Sequence, residues 1–276
     1  LRTLKVGYGN ALVPLAELFS ITPRNDGKLV LEGDCTRCDR IGWQMDGGML
    51  IVDGPVGDHA GAGMSGGEMI VRGNARDLAA CEMAGGSLTI EGDAGDFAAS
   101  TLPGSMDGMR GGTLIVKGNV GERCADRMRR GSVVVFGNSG DFLASRLVAG
   151  TIALGGHAGA HTGYGMRRGS IVFAGVAPVP SPTFVPAIAD APVFWQLLAR
   201  DLARHVRRYA RIGQDLVEQA ADDVDHHVIE RAAGGAAQLV AVGNDDVGQQ
   251  RHARSVQASG RGDLGVGGEV AEHRQA

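Results

Sequence analysis

The sequence predicts an all-β chain: a single-stranded parallel β-helix of about seven to eight coils, followed by a C-terminal strap and an amphipathic helix. Three observations predict it. A marker glycine recurs at Gly48, Gly67, Gly86, Gly112, Gly131, Gly150 and Gly169, a period of 19 residues interrupted once by a seven-residue insertion near Thr101–Asp107. Each period carries one apolar run of three or four residues, such as Leu50-Ile51-Val52 or Val133-Val134-Val135, long enough for a short strand and too short for a helix. Further glycines follow the run at Gly54, Gly73, Gly92, Gly118, Gly137, Gly156 and Gly175, then at Gly57, Gly95, Gly121, Gly140 and Gly159, with Arg76 interrupting the last column. A fixed period of this size is the signature of a solenoid whose units bury their apolar faces on one another.

Residues 1–26 precede the regular repeat and are assigned as an N-terminal cap, because an open solenoid end exposes core and unpaired strand edge. Within it, residues 12–19 suit a strand or a short helix. Residues 27–33 keep the glycine spacing and form an irregular first coil, and the β-helix runs over 27–175.

Stacked coils turn each sequence column into a side-chain ladder with a spacing of about 4.8 Å. One inward ladder reads Met45, Met64, Met83, Met109, Met128, Leu147, Met166, and a second reads Leu50, Met69, Leu88, Leu114, Val133, Ile152, Ile171. Flexible thioethers filling a narrow coil explain the methionines better than soft-metal ligation does. The residue between two inward strand positions should face outward, yet Ile51, Ile70, Ile115, Val134 and Val172 occupy that column. An apolar outer stripe needs a cover, either the C-terminal segment or another subunit, so these five residues are the candidate interface.

Asp58, Asp77, Asp96, Glu122 and Asp141 form an acidic ladder directly after the third glycine column. Stacked acids could hold a cation, but short carboxylates accepting backbone N–H groups in a turn are the simpler reading. His59 and His161 share the next column about five coils apart and cannot share a ligand. The four cysteines, Cys35, Cys38, Cys81 and Cys124, match no secreted disulfide framework, and Cys35-x2-Cys38 lacks the second pair of a zinc or iron–sulfur site.

Four prolines between Pro178 and Pro186 make residues 176–204 start as an extended strap that cannot continue a sheet. Phe194, Trp195, Leu197, Leu198, Leu202 and Val206 then recur at helical spacing. Residues 205–276 lack Lys, Met, Phe, Trp and Cys, so a poorly packed or disordered tail is expected, and an out-of-frame origin would fit its composition. Its cluster of Asp222, Asp223, Asp225, His226 and His227 has the chemistry of metal ligands, although scarce apolar anchors favour weak packing there.

A net charge of -4 and a pI near 6.1 leave no nucleic-acid footprint. No apolar run reaches membrane-span length and no signal pattern opens the chain, so a soluble cytoplasmic protein is expected, with no membrane and no nucleic-acid partner. No nucleophile–base pair, phosphate loop or complete metal-ligand set appears, so no catalytic, cofactor-binding or metal residue is assigned.

The phrase Gly-x2-Gly-x3-Gly, whole at Gly54, Gly57, Gly61 and again at Gly156, Gly159, Gly163, resembles the repeat of the C-terminal domain of glutamate synthase large subunits. The same repeat constitutes the β-helical subunit of formylmethanofuran dehydrogenase and of the related bacterial formyltransferase/hydrolase complex. Length and the Pro-rich strap before Thr183-Phe184 resemble the second group, over roughly residues 1–204. Ala99, Ala125 and Ala144 depart from the motif by replacing its last glycine.

The resemblance implies a right-handed β-helix that is non-catalytic by itself and scaffolds a complex in tetrahydromethanopterin-linked one-carbon metabolism. It implies a methanofuran-type carrier and metals on the other subunits of a formyl-handling complex. The alternative it leaves is a glutamate synthase-type subunit acting with a separate glutaminase or flavin subunit.

Overall fold

The structure, a computed structural model, describes residues 3–22, 26–174, 177–181, 184–187, 227–231 and 237–241, together with Leu197 and Arg200. β1 (Lys5–Tyr8) and β2 (Ala11–Pro14) pair as an antiparallel hairpin, and a single turn of helix, α1 (Leu15–Leu18), follows. The Leu15 N–H donates to the Leu4 carbonyl at 2.7 Å and folds that turn back on the hairpin.

Eight parallel strands then stack in chain order. They are β3 (Lys28–Glu32), β4 (Asp46–Asp53), β5 (Gly66–Val71), β6 (Ser87–Ile90), β7 (Thr113–Val116), β8 (Ser132–Val135), β9 (Thr151–Leu154) and β10 (Gly169–Phe173). Register follows the repeat: Leu50 pairs Met69, Met69 pairs Leu88, Leu88 pairs Leu114, and so on to Ile171. This is the parallel β-helix expected from the period, with residues 28–32 as its first coil.

The core lies inside the coils. Met64, Met83, Met109, Met128, Leu147 and Met166 are buried with the Leu50-to-Ile171 column and with the residues two further along each strand, Val52 to Phe173, and Met45 packs against them from the first turn. Small residues at Ala60, Ala79 and Ala98 sit in the same core and give the long thioethers room at close-packed density.

A second side of the coil is a ladder of single parallel bridges from Cys35 and Val56 through Ala75, Ala94, Val120 and Ser139 to Ala158. The third side is built differently: alternate residues take left-handed backbone, as at His59, Gly61 and Gly63 with φ of 62°, 63° and 69°. The alternation flips successive peptide planes. The His59 and Gly63 N–H groups therefore donate to Asp77 and Cys81 of the following coil, and the Gly61 N–H donates to Ile41 of the preceding one. Leu78, Ala80 and Glu82 adopt the same conformation despite their Cβ atoms. Each such residue costs roughly 1–2 kcal/mol, which the coil-to-coil hydrogen bonds offset. That is why Ala99, Ala125 and Ala144, at φ of 57°, 59° and 58°, can replace the motif glycine.

Glycine is required more strictly elsewhere. A Cβ on Gly73 would stand 2.6 Å from the Pro55 nitrogen and 2.7 Å from the Gly54 carbonyl carbon, so this column is glycine because backbones of successive coils touch there.

The seven-residue insertion loops out and leans on the next coil, where Arg129 Nε donates to Asp107 Oδ1 at 2.6 Å. Residues 177–181 lie in no regular element, as a strap should. The expectation that the Pro-rich segment cannot continue a sheet needs correction at its end, since β11 (Phe184–Ala187) pairs antiparallel with β12 (His227–Arg231). β11 is an edge strand, the place in a sheet where a proline such as Pro186 is tolerated.

β12 pairs antiparallel with β13 (Ala237–Ala241), which lies parallel on β10 and continues the sheet. The remainder of the 205–276 tail lies outside the described residues. So does the helix expected after Pro192, apart from Leu197 and Arg200, which are helical.

Candidate interaction surface

The aspartates of the acidic ladder are backbone acceptors. Asp39 Oδ1 accepts the Asp58 N–H at 2.9 Å, Asp77 Oδ1 accepts the Asp96 N–H at 2.9 Å, and Asp96 Oδ1 accepts the Glu122 N–H at 2.7 Å. Asp141 Oδ1 accepts the Ala160 N–H at 2.8 Å. Each carboxylate thus ties its coil to the next.

A second ladder of the same kind escapes the sequence reading. Asn74 accepts from Asp93 at 2.9 Å, Asp93 from Asn119 at 2.6 Å, Asn119 from Asn138 at 2.9 Å and Asn138 from His157 at 2.7 Å. Its signal is the dipeptide of glycine and Asn or Asp at 73–74, 92–93, 118–119 and 137–138. A Cβ on Gly95 or Gly121 would fall on the Asp77 or Asp96 carboxylate, and one on Gly137 would stand 2.6 Å from Asn119 Oδ1. The glycines following each strand therefore make space for the side-chain acceptors of the preceding coil.

No group of three or more His, Cys, Asp or Glu side chains among the described residues is arranged to hold a metal. All four cysteines are free thiols. Burial, with a smaller contribution from neighbouring Cys38, pushes the Cys35 thiol up to about 11, and burial pushes Cys124 up to about 12. Burial also drives the Cys81 thiol well above its usual range, and its Sγ donates to the Phe97 carbonyl at 3.2 Å. Such thiols are poor nucleophiles near neutrality. Of the acidic and histidine cluster at 222–227, only His227 lies among the described residues, in β12.

The outer strand stripe is unevenly covered. Ile115, Val134 and Val172 are only 4%, 3% and 2% exposed, and Ile115 and Val134 cluster with Phe136 and Ala153. This burial exists in the chain by itself, so the chain's own atoms cover the later coils. Ile51 and Ile70, by contrast, stay half-buried at the N-terminal end. Ion pairs flank the stripe, Arg72 with Asp53 at 3.2 Å and Lys117 with Glu91 at 2.7 Å.

The third side carries rings and guanidinium groups. Arg40 lies over the Trp43 ring at 4.9 Å, Arg123 over Phe142 at 4.8 Å, and Phe142 stacks on His161 at 4.7 Å. His59 stands near Trp43 in the early coils, far from His161 along the solenoid, so the two share no ligand. Beneath this surface the buried Asp126 carboxylate takes a two-pronged pair from Arg146, Nε to Oδ1 and Nη2 to Oδ2, both at 3.1 Å.

No protein-family model matches the chain, and none of the curated proteins does. Among solved structures, a chain in the X-ray crystal structure of the formyltransferase/hydrolase complex (FhcABCD) from Methylorubrum extorquens in complex with methylofuran is 34% identical, with a TM-score of 0.76. The match covers 87% of each chain. The chain belongs to the family of β-helical subunits of formyltransferase/hydrolase and formylmethanofuran dehydrogenase complexes.

For a β-helical subunit of this family, the regular ladders are accounted for by coil-to-coil bonding. The surfaces that architecture leaves unexplained are the half-buried Ile51 and Ile70 end of the stripe and the ring-and-arginine side. Among the described residues no helix is long and apolar enough to cross a membrane.

Proposed function

We propose that this chain is a non-catalytic structural subunit of a formyl-handling complex in tetrahydromethanopterin-linked one-carbon metabolism, and that it acts in the cytoplasm. The observation carrying the reading is 34% identity over 87% of the chain to a chain of a formyltransferase/hydrolase complex. The complex would pass a formyl group from a tetrahydromethanopterin-type carrier to the amine of a methanofuran-type carrier and release formate by hydrolysis. Carrier and metals belong, on this reading, to the partner subunits.

The candidate interface runs along the outer stripe at Ile51, Ile70, Ile115, Val134 and Val172. Burial of the last three within the chain concentrates the surface available to a partner at Ile51 and Ile70. Half-buried β-branched side chains beside an Arg72–Asp53 pair form the apolar centre and charged rim usual for a protein interface.

The test is a formyl-transfer and formate-release assay on the purified chain and on the complex it co-purifies with. Activity is expected in the complex and absent from the chain alone. Activity in the chain alone would overturn the scaffold reading.

A further inference from the structure

We infer that the corner where the later coils turn into their strands is a second docking surface, built for a partner protein that presents carboxylates. Arg110, Arg129 and Arg167 occupy one column there, two residues before the marker glycine, and Arg130 and Arg168 occupy the next. All five are exposed. Arg110 and Arg129 have acids beside them, Glu82 at 3.9 Å and Asp107 at 2.6 Å. Arg130, Arg167 and Arg168 make no ion pair among the described residues. Coil spacing of about 4.8 Å puts Arg130 and Arg168, two coils apart, about 10 Å from one another. One partner surface can therefore meet both.

The corner is rigid at its base. Arg127, two residues before Arg129, and Arg146, on the coil between Arg130 and Arg168, close on the buried Asp126, whose residue exposure is 4%. Exposed Tyr164 borders them, its ring 6.2 Å from Phe142 in an edge-on contact. Arginine and tyrosine on a fixed backbone are the residues that dominate interface energies. The guanidinium fork also matches a carboxylate in two-point geometry, which lysine does not.

The basic corner stands at the turn into the strand, and the acceptor ladders of Asp58, Asp77 and Asp96 stand at the turn out of it. A chain with net charge -4 that gathers exposed arginines on a few coils, three of them without an ion pair among the described residues, complements an acidic protein face better than a nucleic acid, which needs a continuous basic track. A second copy could offer its own acidic edge. Such a contact would place carbodiimide cross-links on this chain's own acids, which tells it from a contact with a different subunit.

This inference rests on the reading of the chain as a complex subunit, and its test separates the two. The complex is purified through a tag on this chain, as wild type and as the triple variant Arg130→Glu, Arg167→Glu, Arg168→Glu. Circular dichroism should match wild type, because the three side chains are exposed. At least one co-purified subunit should be lost or bound at least about tenfold more weakly, and wild-type association should weaken with added salt. In a second experiment the variant Arg130→Lys, Arg168→Lys is treated with a carbodiimide, which joins amines to carboxylates. Cross-links from the introduced lysines to Asp or Glu of another subunit are expected. Wild-type association of the triple variant, cross-links confined to this chain or to a second copy, or loss only of binding to an oligonucleotide probe would overturn the proposal. If the cross-linked partner belonged to a glutaminase or flavin enzyme, the corner would stand and the formyl-complex reading would fall.

Discussion

Arg76 Nε lies 3.4 Å from Asp58 Oδ1, the oxygen that also accepts the Asp77 N–H. Arg76 interrupts the third glycine column, and this rung of the acidic ladder measures 3.3 Å, against 2.7 Å between Asp96 and Glu122. A Cβ where the other coils have none holds the carboxylate back, and the guanidinium partly replaces the lost contact.

The ladder makes a prediction in two halves. Arg76→Ala should change stability by less than about 0.5 kcal/mol, because its ion pair is exposed. Asp96→Ala should cost about 0.5–1.5 kcal/mol by removing the acceptor that ties the Glu122 N–H to the preceding coil. Denaturant unfolding of the two variants decides this, and equal effects would show that the ladder does not bind coil to coil.

Met83 is fully buried between the coils that carry β5 and β6. Met83→Asp should leave a charge without a partner in that core and abolish the cooperative melt, while Met83→Leu should lower stability by less than about 1.5 kcal/mol. Wild-type melting of Met83→Asp would refute the inward register.

The cysteines give a pH prediction. Cys124 is pushed up to about 12 in the fold, above the ordinary thiol value of 9.0, because burial disfavours its thiolate. The unfolded chain therefore loses this proton first, so the contribution is intact below pH 9 and lost as pH rises from about 9 through about 12. Cys124→Ala should flatten that alkaline decline in chemical-denaturation curves. At pH 8 an alkylating reagent should reach half-buried Cys38 before Cys81 or Cys124, as read by mass spectrometry. Equal labelling of the native protein would contradict the buried placement.

The outer stripe should behave as a partner surface at one end only. Ile51→Lys with Ile70→Lys should leave the melting temperature within a few degrees of wild type and release a co-purified subunit. Val134→Lys should destabilise the chain itself, because that side chain is 3% exposed without any partner. Retained partners in the double variant would move the interface away from this end.

How much was legible in the sequence depends on whether a feature repeats. The strand register from Leu50 to Ile171 and the methionine core followed from the 19-residue period alone, since a column of one chemistry can face only one way. The two side-chain ladders were half visible: the Asp58 column reads as backbone acceptors, but the partner N–H belongs to the next coil, a relation no single turn displays. The left-handed backbone at Leu78, Glu82 and Arg127 was hidden, because it carries no glycine to announce it. The arginine corner was legible only as columns, Arg110, Arg129 and Arg167 two residues before the marker glycine; its exposure and the ion pairs of Arg110 and Arg129 needed the stacked coils.

The central claim is that this chain holds other subunits of a formyl-handling complex together. Native mass measurement of the complex captured through this chain, with each component sequenced by mass spectrometry, tests it most directly. The account predicts a defined assembly containing this chain and the other subunits of a formyltransferase/hydrolase or formylmethanofuran dehydrogenase complex. A glutaminase or flavin subunit in their place, or a chain that runs alone, would contradict it.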